Sequence, residues 1–323
     1  MKRFKNILLI YDETIEGRSA LERAVHLAMD NEARLKLVHV IKEIPADELV
    51  MISSANSGKL EKMLVERKSL EMKQFLRPFV LRGLTAEVKV IVGVPFISIT
   101  QEVIRCEHDL VVKVAEGRRV LDAIMFGTTA IRLMRKCPGP VWIMKPSDHQ
   151  GYRNIMAAVD PGPVVDERYR LNHLIMGLAS SLALLEHCRL HVVHVWKPPG
   201  TTLHGESSGK IPGKSFNHFA REAMQFHRKW TVALVEPYTS PILGSRIYLK
   251  EGEPEKIIPQ MAQELSMDLI VMGTVCRTGI AGFFIGNTAE KVLRQVNCSV
   301  LTVKPEGFIS PVCLEQAIKV PVF

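Results

Sequence analysis

The chain lacks several features that mark whole classes of protein, beginning with long hydrophobic runs. None of its 323 residues belongs to an apolar stretch of about 18 or more, so no segment is expected to insert into a membrane. The first residues, MKRFKNILLIYD, carry only a short apolar run before Asp12, too short for the hydrophobic part of a secretion signal. These absences predict a cytoplasmic protein.

Cysteine pairs and aromatic residues are also scarce. The six cysteines include no Cys-x-x-Cys pair, which favours reduced thiols over a disulfide framework or a zinc site. Aromatics make up 6% of the chain and do not interleave with basic runs, so no specific nucleic-acid interface is predicted. The formal net charge of +8 leaves two interpretations open: a solvated basic surface, or a weak attraction for anionic ligands.

The chain does contain an internal repeat. Segment 109–146 aligns without gaps with segment 268–305 at an offset of 159, and 11 of the 38 positions are identical, Asp109/Asp268 and Lys145/Lys304 among them. The segments 4–12 and 152–160, at the start of each half, also match. We therefore predict one domain over 1–147, a second over 148–307 and a carboxyl-terminal tail over 308–323. The tail is apolar enough to dock either onto the body of the protein or onto a partner.

Each half alternates short apolar runs with amphipathic helical patterns, such as those over 17–31 and 60–82. This alternation predicts an α/β fold in each half: a five-stranded parallel sheet with helices on both faces. Ligands of such sheets bind beyond the carboxyl ends of the strands, where the strand order reverses. The predicted strands are 7–11, 35–41, 86–92, 109–114 and 140–144 in the first half, and 154–159, 189–196, 246–250, 268–273 and 299–303 in the second.

The loop after the fourth strand of the second half, within MGTVCRTGIAGFFIGNTAEKV (272–292), is the most informative stretch. Gly273 and Gly286 let the backbone approach a ligand closely, and the N–H groups of Asn287 and Thr288 at the helix start suit an anion. Asn287 is expected to cap that helix, with Glu290 completing a capping box. A plain tight connection between strand and helix is the alternative.

At this loop the chain resembles the universal stress protein family, in particular its tandem-domain, E-type members. The segments GTVCRTG (273–279), GNTAE (286–290) and RKCPGPVW (135–142) carry the resemblance, which covers residues 1 to 307. The family's nucleotide motif is Gly, two residues, Gly, nine residues, Gly, then Ser or Thr. It falls on Gly273, Cys276, Gly286 and Asn287 in the second half, and on Val114, Gly117, Gly127 and Thr128 in the first.

The resemblance implies a Rossmann-like, adenine nucleotide α-hydrolase-like fold and a role in stress survival without a catalytic residue. It implies that Asp12 and Asp160, at the ends of the first strands, lie near a nucleotide. Cys276 and Val114 replace motif glycines, which counts against tight binding of ATP. The expected occupant is therefore a small anionic molecule, with ATP as one candidate. Two alternatives remain: a partner-binding scaffold without a ligand, and a slow ATP-hydrolysing module.

Arg277 and its repeat counterpart Arg118 suit either a phosphate or carboxylates across an interface. Because equivalent domains commonly pair in this family, the resemblance implies an intramolecular pseudo-dimer of the two halves, with a homodimer as the alternative. Among the histidines, His191 and His194 lie three apart on a strand and should face opposite ways, so no metal site is predicted. His39 and His194, at matching places late in the second strand of each half, are expected to pack beneath the crevice, with a place lining it as the alternative.

Overall fold

The computed structural model describes residues 3–11, 14–43, 54–115, 119–120, 123–124, 126–145, 151–163, 168–198, 213–238, 245–274 and 286–314. These residues form two compact units. The first contains 3–145 together with 308–314, and the second contains 151–307 where described. The described part of the tail therefore packs with the first unit. Every helix among the described residues is too short or too polar to cross a bilayer.

Within its described residues, the first unit contains a five-stranded sheet, four helices and a small hairpin. In chain order these are β1 (Asn6–Ile10), α1 (Ile15–Asp30), β2 (Arg34–Ile41), α2 (Ser54–Val80), β3 (Ala86–Val92), α3 (Pro95–Cys106), β4 (Leu110–Val114), β5 (Arg119–Val120), β6 (Ala123–Ile124), α4 (Thr128–Lys136) and β7 (Val141–Met144). The sheet order is β7-β4-β1-β2-β3, and every pairing is parallel. The antiparallel hairpin β5-β6 stands apart from this sheet.

The second unit repeats this arrangement. Its elements are β8 (Asn154–Val159), α5 (Arg168–Leu185), β9 (Arg189–Trp196), α6 (Gly213–Val235), a 3-10 turn (Glu236–Tyr238), β10 (Arg246–Glu251), α7 (Pro254–Glu264), β11 (Leu269–Gly273), α8 (Asn287–Leu293) and β12 (Ser299–Val303). The order β10-β9-β8-β11-β12 is that of the first unit, and the strands are again parallel. The predicted tandem α/β fold is confirmed.

The central strands are mostly apolar because both of their faces are covered. All five residues of β4 are buried, as are those of β12 and four of the five in β11. Parallel strands covered on both faces need no polar positions, so they lose the alternation typical of half-exposed strands. The outer strands β3 and β10 are only partly buried and carry charged residues.

A repeated aspartate fixes the amino end of the first strand in each unit. The carboxylate of Asp109 accepts hydrogen bonds from the backbone N–H groups of Lys5 (2.6 Å) and Asn6 (3.1 Å). Asp268 accepts the same pair of bonds from Arg153 (2.7 Å) and Asn154 (2.9 Å). The identity that the repeat shows at this position therefore has a structural cause in both halves.

Candidate functional site

In each unit the strand order reverses beside the first strand, between β1 and β4 and between β8 and β11. Connections leave such a point toward opposite faces of the sheet, which opens a crevice at the carboxyl ends of the strands. The described site residues follow or end strands at this edge, or begin the helix that comes next: Gly127, Thr128, Asp160, Gly273, Gly286, Asn287 and Thr288. Asp12, Gly117, Cys276 and Arg277, and also Arg118, lie outside the described residues.

A buried lysine that sequence reasoning did not single out lies at the carboxyl ends of the strands in the second unit. Lys304 follows β12, is only 6% exposed and donates a hydrogen bond from Nζ to Oγ1 of Thr274, the residue after β11. The backbone N–H of Gly286 donates to the carbonyl oxygen of Thr274 at 2.8 Å. Thr274 thus joins the ammonium group to the start of α8. The identity of Lys145 and Lys304 in the repeat was the available signal.

The structure corrects the helix cap that was predicted at Asn287, and it shows what surrounds Gly273. The expectation that Asn287 caps α8 is wrong: Gly286 occupies the cap position in an extended conformation, makes no side-chain cap, and Asn287 is the first helical residue. Glu290 instead forms an ion pair with Arg294 (2.8 Å). A Cβ at Gly273 would lie 2.9 Å from Cδ2 of Leu171 on α5, so a larger residue there would require the Leu171 side chain to shift.

Asp160 follows β8 and is held by α5. Its carboxylate forms an ion pair with Arg168 (2.9 Å), and both side chains are about one-third exposed. Asn172 accepts a hydrogen bond from the backbone N–H of Asp160 (2.9 Å) and donates one to its carbonyl oxygen (2.8 Å). Asp160 therefore lies at the predicted edge with its carboxylate already engaged by a cation.

His194, near the end of β9, is a core residue. It is fully buried, its Nδ1 lies 3.1 Å from the carbonyl oxygen of Val159, and its Nε2 lies 2.8 Å from Nδ1 of His227 on α6. His191 contacts a different set, Tyr248 (3.2 Å) and Asn154 (3.4 Å). The expectation that His194 packs in the core is confirmed, and its alternative place in the crevice is wrong.

The crevice of the first unit has a different chemistry. Gly127 is extended at the start of α4 without a side-chain cap, and Thr128 is exposed beside it. At the end of β1, however, the hydroxyl of Tyr11 donates to Glu71 (2.7 Å), which also forms an ion pair with Lys68 (2.9 Å). Hydrogen bonds from Lys68 and Tyr11 lower the pKa of Glu71, so this group carries negative charge at neutral pH.

A second charged cluster, in the first unit, joins α3 to β2 and β3. Glu102, fully buried, forms ion pairs with Lys36 (2.9 Å) and Lys89 (2.7 Å). Burial raises the pKa of Glu102, but hydrogen bonds from Lys89 and Lys36 outweigh it and lower the pKa to about 2. Burial lowers the pKa of Lys36, but its hydrogen bonds to Glu102 and Cys106 and the charges of these two groups together raise it above the ordinary value.

The ligand atoms of Glu102, Cys106 and His108 lie within 4.8 Å of one another, close enough for one metal ion to contact all three. The ammonium of Lys36 already bonds to two of these ligands, at 2.9 Å from Glu102 and 3.2 Å from Cys106. A metal ion would have to displace a lysine that the same carboxylate holds. The cluster is therefore an ion-pair network whose cation is the lysine.

Comparison with known proteins identifies relatives of both halves. A model of the universal stress protein family matches residues 3–145 and again 151–304. Universal stress protein E of Photorhabdus laumondii is 29% identical over 97% of this chain and 98% of its own length, and that of Escherichia coli K12 is 28% identical over 98% and 99%. A crystal structure of a functionally unknown protein from Pseudomonas aeruginosa PAO1 is 26% identical, covers 94% of both chains and gives a TM-score of 0.69. The chain belongs to the universal stress protein family and carries one family domain in each half.

Proposed function

We propose that this chain is a stress-response protein whose second unit binds a small anionic ligand without transforming it. Family membership supports the first part of the proposal. The observation that carries the second part is the buried Lys304, bonded to Thr274 at the carboxyl ends of β11 and β12. A buried ammonium attracts anions strongly because the surrounding dielectric is low.

The first unit is the less suitable half for an anion. Glu71 and Tyr11 are bonded to each other at the carboxyl end of β1, and the ring of Phe75 lies 6.0 Å from that of Tyr11. The Glu71–Lys68 pair offers no net positive charge to a phosphate, and Lys145, the repeat counterpart of Lys304, is less buried, so an anion gains less from it than from the buried Lys304. We therefore assign ligand binding to the second unit and a structural role to the first.

ATP is the first anion to test, because the family's nucleotide motif matches in part. We expect a titration of the purified protein with ATP to show binding that Lys304→Met weakens roughly tenfold or more, since the variant removes a buried positive charge. Lys113→Met is the matched control. Lys113 is as buried as Lys304, at 6% exposure, but lies on β4 in the first unit, so its loss should leave the affinity unchanged.

Native mass spectrometry of freshly purified protein extends the test to other anions. A co-purified phosphate- or carboxylate-bearing molecule that Lys304→Met loses would support the assignment even if ATP does not bind. If neither ATP nor any co-purified anion is found, the proposal is wrong and a ligand-free scaffold is the better description. Equal losses from the Lys113 and Lys304 variants would remove the assignment to the second unit.

Binding without turnover is a separate prediction. The carboxylate of Asp160 is paired with Arg168 at 2.9 Å, which makes it a poor base for activating water. We expect no release of labelled phosphate from ATP above the background of buffer alone. Turnover that Gly286→Val abolishes in a still-folded protein would instead identify a slow ATPase.

A further inference from the structure

Helix α6 of the second unit exposes aromatic side chains to solvent. Phe219 and Phe226 are 54% and 55% exposed, and because they lie seven residues apart they occupy the same side of the helix. The ring of Phe226 stacks on that of Trp230, with the two centroids 5.9 Å apart. Aromatic side chains stabilise a protein when their large area is buried, so a contiguous exposed group of them indicates an interaction surface.

These residues belong to an apolar stripe with the spacing of a coiled-coil seam. Alternating steps of four and three residues keep side chains in one row along a helix, and a second helix packs against such a row. The stripe on α6 follows these steps without a polar residue, and it consists of Phe219, Ala223, Phe226, Trp230 and Ala233. The buried side of α6 is formed by other residues, including Thr231 and Leu234. The helix therefore has a second apolar side besides the one that it buries in its own unit.

The corresponding helix of the first unit, α2, lacks a continuous stripe. It also exposes two apolar residues seven apart, Met63 at 66% and Leu70 at 58%. At the same four-and-three steps, however, it carries Arg67 and Gln74. A second helix packed on this row would have to desolvate those polar groups, which is unfavourable. The seam is thus a property of α6, and α2 supplies a control for it.

The charges beside the stripe favour a second copy of this chain as the partner. Glu222 and Lys229 are both exposed and lie seven residues apart, on the flank of the stripe that faces away from the buried side. When two copies of α6 pack antiparallel around a two-fold axis between Ala223 and Phe226, each Glu222 faces Lys229 of the other copy. The helix is therefore complementary in charge to its own antiparallel copy.

We propose that α6 pairs with α6 of a second copy in an antiparallel homodimer. In this arrangement Phe226 packs against the partner's Ala223, so a large side chain faces a small one next to the axis. Phe219 packs against the partner's Trp230, which forms an aromatic pair at each end of the seam. One pair of helices buries less area than a standard stable interface, so we expect a dissociation constant on the order of 10 µM.

Sedimentation of the full chain tests the pairing. Between about 1 and 300 µM the mass should rise from that of one chain to that of two. Phe226→Glu places a charge in the seam and should keep the chain monomeric, whereas Leu70→Glu should dimerise as the wild type does. The two replaced side chains are matched in exposure, at 55% and 58%. A wild-type chain that stays monomeric, or a Phe226→Glu variant that still dimerises, would overturn the proposal.

A charge exchange tests the orientation of the two helices. Glu222→Lys and Lys229→Glu each bring like charges together across the antiparallel pair, so each variant alone should dimerise about tenfold more weakly at low salt. A mixture of the two restores opposite charges at both contacts and should form a mixed dimer as tightly as the wild type does. The two positions lie roughly 10 Å apart along one helix, so recovery cannot arise within one chain. A mixture that dimerises no better than its components would contradict antiparallel pairing of α6.

Discussion

Replacing Glu102 with alanine is expected to lower the free energy of unfolding of the first unit by about 3 kcal/mol. The carboxylate is fully buried and bonded to Lys36 and Lys89, so its removal leaves two ammonium groups without their shared partner. The estimate is at the lower end for a broken buried ion pair because Lys36 keeps Glu87 at 2.5 Å and Lys89 is partly hydrated. Fluorotryptophan NMR during urea unfolding can measure the stability of each unit separately, because Trp142 belongs to the first unit and Trp196 and Trp230 belong to the second.

Glu87→Ala is the matched control for this variant. Glu87 also forms an ion pair with Lys36, but its side chain is 62% exposed. An exposed pair contributes about 0–1 kcal/mol, so this variant should unfold nearly as the wild type does. If the two variants lose the same small amount of stability, the network around Glu102 does not stabilise the unit as the structure indicates.

Glu102→Ala should also change the stability of the first unit at acid pH. The pKa of Glu102 is lowered to about 2 from the ordinary value of 4.5. A carboxyl whose pKa is depressed by folding contributes stability above the unfolded value and loses it as the pH falls through the folded value. The contribution should therefore be complete above pH 4.5 and decline toward pH 2, by roughly 3 kcal/mol in total. Glu102→Ala should unfold with less pH dependence over this interval.

The order of elements could be predicted from the sequence because the core strands of a parallel sheet are short apolar runs. The predicted strands 86–92, 154–159, 189–196 and 299–303 coincide with the observed ones. Strand 7–11 is shifted by one residue from β1, and the others differ by one residue at one end. Burial on both faces of β4 and β12 makes such runs visible without any alternation. The hairpin β5-β6 was missed because strands of two residues are too short to show a period.

The site was less predictable because its contacts join residues that are distant in sequence. Lys304 and Thr274 are 30 residues apart, and Lys36 and Glu102 are 66 apart, so only the folded chain brings them together. The predicted cap at Asn287 was wrong for a local reason: Gly286 takes the cap position, so α8 begins at Asn287, one residue earlier than predicted. The roles of Asp12, Gly117, Cys276 and Arg277, the pairing of the two halves and residence in the cytoplasm stay predictions.

Replacing Asp268 with alanine is expected to lower the free energy of unfolding of the second unit by about 2 kcal/mol. Its carboxylate accepts two charge-assisted hydrogen bonds from the backbone at the start of β8, at 2.7 and 2.9 Å. The variant would leave the amides of Arg153 and Asn154 without this acceptor at the edge of a central strand. The unfolding transition reported by Trp196 and Trp230 should move to a lower urea concentration, while the transition reported by Trp142 should not move.

The internal repeat supplies the control for this prediction. Asp109→Ala removes the equivalent bonds to Lys5 and Asn6, so it should destabilise the first unit by a similar amount and move only the signal of Trp142. The variants Asp109→Asn and Asp268→Asn each keep one neutral acceptor, so each should lose about half as much stability as the alanine variant. If one alanine variant is destabilised and its counterpart is not, the aspartate was retained in the second case for a reason other than these hydrogen bonds. Matching losses would show that the duplicated unit still depends on the same contact in both halves.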